Sequence, residues 1–316
     1  MAYLFVHFTS RGYDDRECVW FSVSRDGLHW TDLGNGEPVL RSNVGTRGIR
    51  DPFPVYDARL GKYFIIATDL NTEGGDWERF AHRGSRSVLI WESEDLIRWS
   101  EPRLEELAPT DAGCAWAPEA VWCAERDSWL VFWASCIRLA GDPVPKQRIY
   151  AAFTDDFRRF GPTFLWIEGP NDIIDTAVVR DGDFYYRFSK DDNGKIITAE
   201  RSPVLVPTDG KGWERVPCPL LDGFDGLEGP TAYRLAERGQ WCLLVDQYRL
   251  QTGYLPLVTD DLSSGEFRVL APEEYDFGKR LKRHGGVIEI PDSAADRLTE
   301  AFGTEETGSG SKNTGG

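Results

Sequence analysis

Apolar residues in this chain gather in short runs, and the runs come in pairs. Tyr63-Phe64-Ile65-Ile66-Ala67 is followed by Ser87-Val88-Leu89-Ile90-Trp91, and Trp129-Leu130-Val131-Phe132-Trp133 by Ile149-Tyr150-Ala151-Ala152-Phe153. Phe184-Tyr185-Tyr186-Arg187-Phe188 pairs with Ile196-Ile197-Thr198-Ala199, and Trp241-Cys242-Leu243-Leu244-Val245 with Leu255-Pro256-Leu257-Val258. β-Branched and aromatic runs bounded by Gly, Asp and Pro predict strands. Helical spacing is almost absent until Asp292-Ser293-Ala294-Ala295-Asp296-Arg297-Leu298, which predicts a short C-terminal helix.

One kind of turn recurs after the paired runs. Ser24-Arg25-Asp26-Gly27-Leu28-His29-Trp30 is echoed by Ser93-Glu94-Asp95-Leu96-Ile97-Arg98-Trp99 and by Thr154-Asp155-Asp156-Phe157-Arg158-Arg159-Phe160. Thr259-Asp260-Asp261-Leu262, with Phe267, is a longer fourth copy, and a degenerate copy ends near Trp213. A β-sandwich would show the strands without the repeated turn. Repetition of four-strand units predicts an all-β, five-bladed β-propeller, with blades at about 3–46, 51–110, 116–168, 175–220 and 228–270. Gly286-Val287-Ile288-Glu289-Ile290 would return to complete the first blade. Residues 1–302 are thus expected to form one propeller domain, and 303–316, made mostly of Gly, Ser, Thr and Asn, a disordered tail.

Charge narrows the partners. The net charge of −16 repels nucleic acid and anionic membranes, so neither is an expected partner, while a neutral sugar meets no such barrier. Twelve Trp supply flat rings that can pack between sheets or cover the apolar face of a sugar. None of the six Cys forms a C-x-x-C pair, so a zinc site is not expected. No basic stretch followed by an apolar run opens the sequence, and a cytoplasmic location with free thiols is expected. Nothing in the pattern speaks to oligomeric state.

In a propeller the first strand of every blade lines the central channel, so residues at its mouth converge on one axial pocket. Those mouths read Ile49-Arg50-Asp51-Pro52-Phe53, Ala115-Trp116-Ala117-Pro118-Glu119, Ile173-Ile174-Asp175-Thr176 and Leu227-Glu228-Gly229-Pro230-Thr231, with Arg283-His284-Gly285 before the closing strand. Four mouths carry an acid and the last a His. Buried carboxylates at one point shift each other's pKa values apart, which is costly without a function. Glycoside hydrolysis needs such a pair, one protonated and one ionised, roughly 6.5–9.5 Å apart when water attacks directly.

These motifs, together with Tyr186-Arg187-Phe188-Ser189-Lys190-Asp191, resemble glycoside hydrolase family 43, and the resemblance spans residues 3 to about 290. It implies an inverting mechanism with Asp51 as general base, Glu228 as general acid and Asp175 as the acid that orients Glu228. Arg50, Trp116 and Glu119 are expected to meet the substrate. Arg187 is expected either to bind a substrate hydroxyl or to pair with one of the acids. No cofactor is required for the chemistry, and the resemblance adds a calcium or other ion in the channel with His284 as its protein ligand. The implied substrate is an oligosaccharide, trimmed from its end behind the loops at about 71–86 and 138–148. An α-L-arabinofuranosidase is expected first, then a β-xylosidase or β-D-galactofuranosidase. A non-catalytic sugar-binding propeller and a retaining, invertase-like fructosidase are the alternatives.

Overall fold

The computed structural model describes residues 1–9, 14–208 and 212–304. Five four-stranded antiparallel sheets stand around one axis. Their inner strands are Lys282–Ile290, Ile49–Asp57, Trp116–Cys123, Ile173–Asp181 and Glu228–Leu235, and each touches the next until the ring closes. The fold is a five-bladed β-propeller. Adjacent sheets bury between them the paired apolar runs read from the sequence, for example Phe64, Ile66 and Ile90 against Val131, Trp133 and Phe157. Trp91 and Trp133 are fully buried in such seams.

The repeated turn has a local cause. In blade one the Ser24 hydroxyl accepts the Gly27 N–H at 2.9 Å, and Asp26 Oδ1 accepts the Leu28 and His29 N–H groups, both at 2.9 Å. Ser93 with Asp95, and Thr154 with Asp156, repeat these bonds. Each motif therefore carries its own acceptors for a tight turn. It always joins the third strand of a blade to the fourth.

Blade one is closed by chain from both ends. Ala2–Thr9 pairs with Lys282–Ile290 in antiparallel register, Ala2 opposite Ile290 and His7 opposite Gly285. The segment leading into the closing strand folds over Asp32. That carboxylate accepts from the Ser22 hydroxyl at 2.7 Å, the Lys279 and Arg280 N–H groups at 2.9 Å each, and Lys282 Nζ at 2.6 Å. Burial pushes the Asp32 carboxyl up, but the charge and hydrogen bonds of Lys282 outweigh it, and the net shift is downward.

Two stretches differ from expectation. The loop at 71–86 contains a helix, Trp77–Arg83, capped by Asp76, whose carboxylate accepts the Arg79 N–H at 3.0 Å. Only Phe80 of this helix is buried, so its sequence lacks the apolar stripe that reveals a helix. The C-terminal helix runs Asp292–Phe302, with Ala294, Ala295 and Leu298 buried against blade one. The tail was expected to loosen from Gly303, but the Gly303 carbonyl accepts the Gly34 N–H and Thr304 bridges to Leu33. Residues 305–316 of that expected tail lie outside the described residues. All six cysteines are free, and among the described residues no helix is long and apolar enough to cross a membrane.

Replacing Asp32 by Ala leaves Lys282 buried without its charge partner, and the expected loss is about 3–5 kcal/mol of stability, read from urea unfolding midpoints. Because the folded-state pKa of Asp32 lies below the unfolded value, its contribution is present above about pH 4 and fades as pH falls through the folded value. The stability gap between wild type and the variant should narrow in that acid range.

Candidate active site

The mouth of the channel is shaped by a bulge repeated in four blades. Each inner strand slips register where it starts, between Arg50 and Phe53, Trp116 and Glu119, Ile174 and Thr176, and Glu228 and Thr231. The residue inside each slip has a left-handed backbone: Asp51 at φ 50°, Ala117 at 47°, Asp175 at 49° and Gly229 at 52°. Such a bulge re-aims side chains, and a non-glycine residue held there costs about 1–3 kcal/mol. The acids are thus not strictly equivalent, as the sequence reading had them. Asp51 and Asp175 share one position, Glu228 stands one residue earlier, and Glu119 two residues later than its blade's Ala117.

Asp51, Asp175 and Glu228 line one cavity of about 1100 Å³, together with Arg50, Trp77, Trp116, Lys190, Tyr248, Arg283 and His284. His284 lies between two of the acids. Its Nδ1 is 3.4 Å from Asp51 Oδ1 and 3.9 Å from Asp175 Oδ1. Asp51 also accepts the Thr68 hydroxyl at 2.8 Å, and that hydroxyl accepts the Ala117 N–H at 2.7 Å, which ties blade two to blade three. Asp175 accepts the Gly229 N–H at 3.1 Å. Glu228 is gripped by Lys190 Nζ at 3.0 Å and Arg283 Nη2 at 3.1 Å.

These surroundings sort the groups electrically. Burial raises the Asp51 carboxyl, but the hydrogen bond and charge of His284, with Arg50 and Thr68, bring it below the usual range. Burial raises Asp175 to about 6 despite His284 and Lys190, and the negative charges of Glu228 and Asp51 add to the rise. Burial opposes the charge on His284, yet Asp175 and Asp51 carry its pKa up to about 9, so the ring is an imidazolium at neutral pH.

The other expected residues divide. Arg50 lines the cavity, 3.7 Å from Glu17, with its guanidinium 4.4 Å from the Phe8 ring centroid and 5.5 Å from that of Trp77. Trp116 also lines it, edge to face with Trp77 at 6.3 Å. Glu119 does not line it. It lies further along the inner strand of blade three, buried, with its carboxyl pushed well above the normal range chiefly by that burial. Arg187 is also elsewhere: it pairs with Glu200 at 2.7 Å, not with any mouth acid, and stacks over Trp213 at 4.2 Å.

Lys190, Thr68, Asp246 and Arg283 carried no role from sequence, though Lys190 and Arg283 stood in quoted motifs. Three of these follow a rule that strand register makes visible. Thr68 stands opposite Arg50, Lys190 opposite Ile174 and Asp246 opposite Glu228, so each faces the residue just before the left-handed one in its blade's bulge. Arg283 was visible in the Arg283-His284-Gly285 motif but was given no role.

The channel ion expected at His284 would take that one ring as its protein ligand. Among the described residues no three His, Cys, Asp or Glu gather as a metal site. The His284 nitrogen that faces the acids is occupied by them.

A propeller whose axial cavity gathers three carboxylates beside an arginine and paired tryptophans is the architecture of a glycosidase. Residues 1–296 match the family described as "Probable glycosyl hydrolase domain", related to family 43, and the chain belongs to that family. It is 32% identical over 258 residues to an α-L-arabinofuranosidase of Bifidobacterium longum subsp. longum, a match covering 69% of this chain and 24% of that protein. The chain thus spans about a quarter of the curated relative's length. Among solved structures, a thermostable family-43 glycoside hydrolase superposes with a TM-score of 0.50 at 16% identity, over 73% of this chain and 74% of that one. A Bombyx mori β-fructofuranosidase superposes at 0.51 and 17% identity, over 72% and 49%. At these identities the two structures share the fold alone.

Gly229 tests the bulge geometry. A Cβ there would lie 2.7 Å from His284 Cγ, at a φ that favours glycine. Gly229→Ala is expected to lower stability by about 1–3 kcal/mol and to displace His284 from the acids. Thermal unfolding reads the first effect, and the NMR shift of the His284 ring the second.

Proposed function

We propose that the protein is an inverting, exo-acting glycoside hydrolase, and specifically an α-L-arabinofuranosidase. The observation that carries this reading is the convergence of Asp51, Asp175 and Glu228 on one cavity, each with different partners. Asp51, held ionised by His284 and Thr68, acts as general base and takes a proton from the attacking water. Glu228 gives a proton to the departing oxygen. Asp175 binds the Gly229 N–H and so fixes the peptide beside Glu228. The sugar ring lies against the Trp116 and Trp77 side chains, with Arg50 donating to its hydroxyls.

Removal of terminal sugars is favoured by the walls of the cavity. The helix Trp77–Arg83 contributes Trp77, Glu78, Ala81 and His82, and the stretch after blade three's second strand contributes Pro145 and Gln147. The choice of arabinofuranose rests on the relative's activity at 32% identity. β-Xylosidase and β-D-galactofuranosidase remain the competing substrate choices within the same chemistry.

A panel of 4-nitrophenyl glycosides checks the substrate, with fastest release expected from α-L-arabinofuranoside over β-D-xyloside and β-D-galactofuranoside. Faster release from another member would move the assignment to that sugar, and release from none would favour a sugar-binding propeller. Asp51→Asn should cost roughly 10²–10⁴-fold in kcat/KM on every substrate, the usual scale of general acid–base catalysis. Glu228→Gln should cost as much on natural oligosaccharides and far less on an activated aryl leaving group. NMR of the first-formed sugar should show the inverted anomer, whereas retention would require a nucleophilic carboxylate. Dialysis against a chelator should leave turnover unchanged, because the two carboxyl groups supply both acid and base.

A further inference from the structure

Behind Glu228 stands a carboxylate that the proposed chemistry does not use. Asp246 ends the second strand of blade five, Gln240–Asp246, directly opposite Glu228 in register. It is 0% exposed. Its Oδ2 accepts from Arg283 Nε at 2.5 Å, while its Oδ1 has no hydrogen-bond partner among the described residues. The same guanidinium reaches on, donating from Nη2 to Glu228 Oε1 at 3.1 Å and from Nη1 to Gln251 Oε1 at 3.3 Å. Arg283 therefore bridges two carboxylates. Glu228, His284 and Tyr254 are the other titratable groups that act on or feel Asp246.

A half-satisfied carboxylate in a dry sheet is costly, and the sheet itself would accept an apolar residue there. Burial pushes Asp246 up to about 6 against the pull of Arg283, with Glu228 adding to the rise. The bridge gives it a use. We propose that Asp246 is a positioning residue for Glu228, acting through Arg283. It fixes the guanidinium fork against Glu228 Oε1 and shares the positive charge of Arg283 between two acids. Without Asp246 the fork loses its second anchor and its whole charge faces Glu228 Oε1, the group that must hand a proton to the leaving oxygen. Asp246 exchanges no atom with substrate. This inference rests on Glu228 being the proton donor.

The test compares leaving groups. Wild type, Glu228→Gln and Asp246→Asn are assayed on phenyl, 4-nitrophenyl and 2,4-dinitrophenyl α-L-arabinofuranosides, which need progressively less proton donation. Glu228→Gln should lose most on the phenyl glycoside and little on the dinitrophenyl one. Asp246→Asn should show the same trend more weakly, with the phenyl substrate falling roughly tenfold relative to the dinitrophenyl. Equal loss on all three substrates, or no loss, would overturn the role of Asp246. If Glu228→Gln itself shows no trend, the donor assignment fails first and the inference falls with it. Should Asp246→Asn not fold, Arg283→Lys keeps the charge but cannot span both carboxylates. It is expected to show the same trend, and a flat response from it would equally refute the proposal.

Discussion

Three carboxylates meet at the mouth of this propeller's axis, and the fold holds them there only because positive charge is buried beside them. His284 stands between Asp51 and Asp175, and Lys190 and Arg283 grip Glu228. Ionised acids taken from water each cost several kcal/mol, and an unpaired cluster would neutralise itself by taking up protons. Here the cations come from the closing strand and from a neighbouring blade. The electrical balance of the site is therefore also a condition on ring closure.

That balance sorts the acids by environment. Asp51, with His284, Arg50 and Thr68 around it, is held below the ordinary carboxyl range. Asp175 rises to about 6 because burial outweighs the pull of His284 and Lys190, with Glu228 and Asp51 adding to the rise. The bulges make the sorting possible. By reversing the local backbone at Asp51 and Asp175 they turn both carboxylates toward His284, and glycine at 229 leaves room for its ring.

The repeated turn was legible because Ser24 with Asp26, and its copies, satisfy the turn from within a few residues of chain. The acids at the mouths were legible for a similar reason: each lies where an apolar strand begins. What pairing decides was harder to read. Arg187 and Lys190 sit in one motif, yet only Lys190 stands opposite a mouth residue, and Arg187 turns to Glu200. Glu119 follows the Pro of its mouth, whereas Asp51 and Glu228 precede theirs, and the strand carries it past the cavity into the core. The helix Trp77–Arg83 hid because it packs by Phe80 alone and turns its remaining apolar surface to the cavity.

A protonated His284 on the axis holds these acids together. Ring-nitrogen NMR of histidine-labelled protein measures that proton directly, with His284→Gln assigning the signal among the four histidines. An imidazolium at pH 7 that titrates at about 9 is expected. A His284 that is neutral at pH 7, titrating at or below the ordinary value of about 6.5, would contradict it.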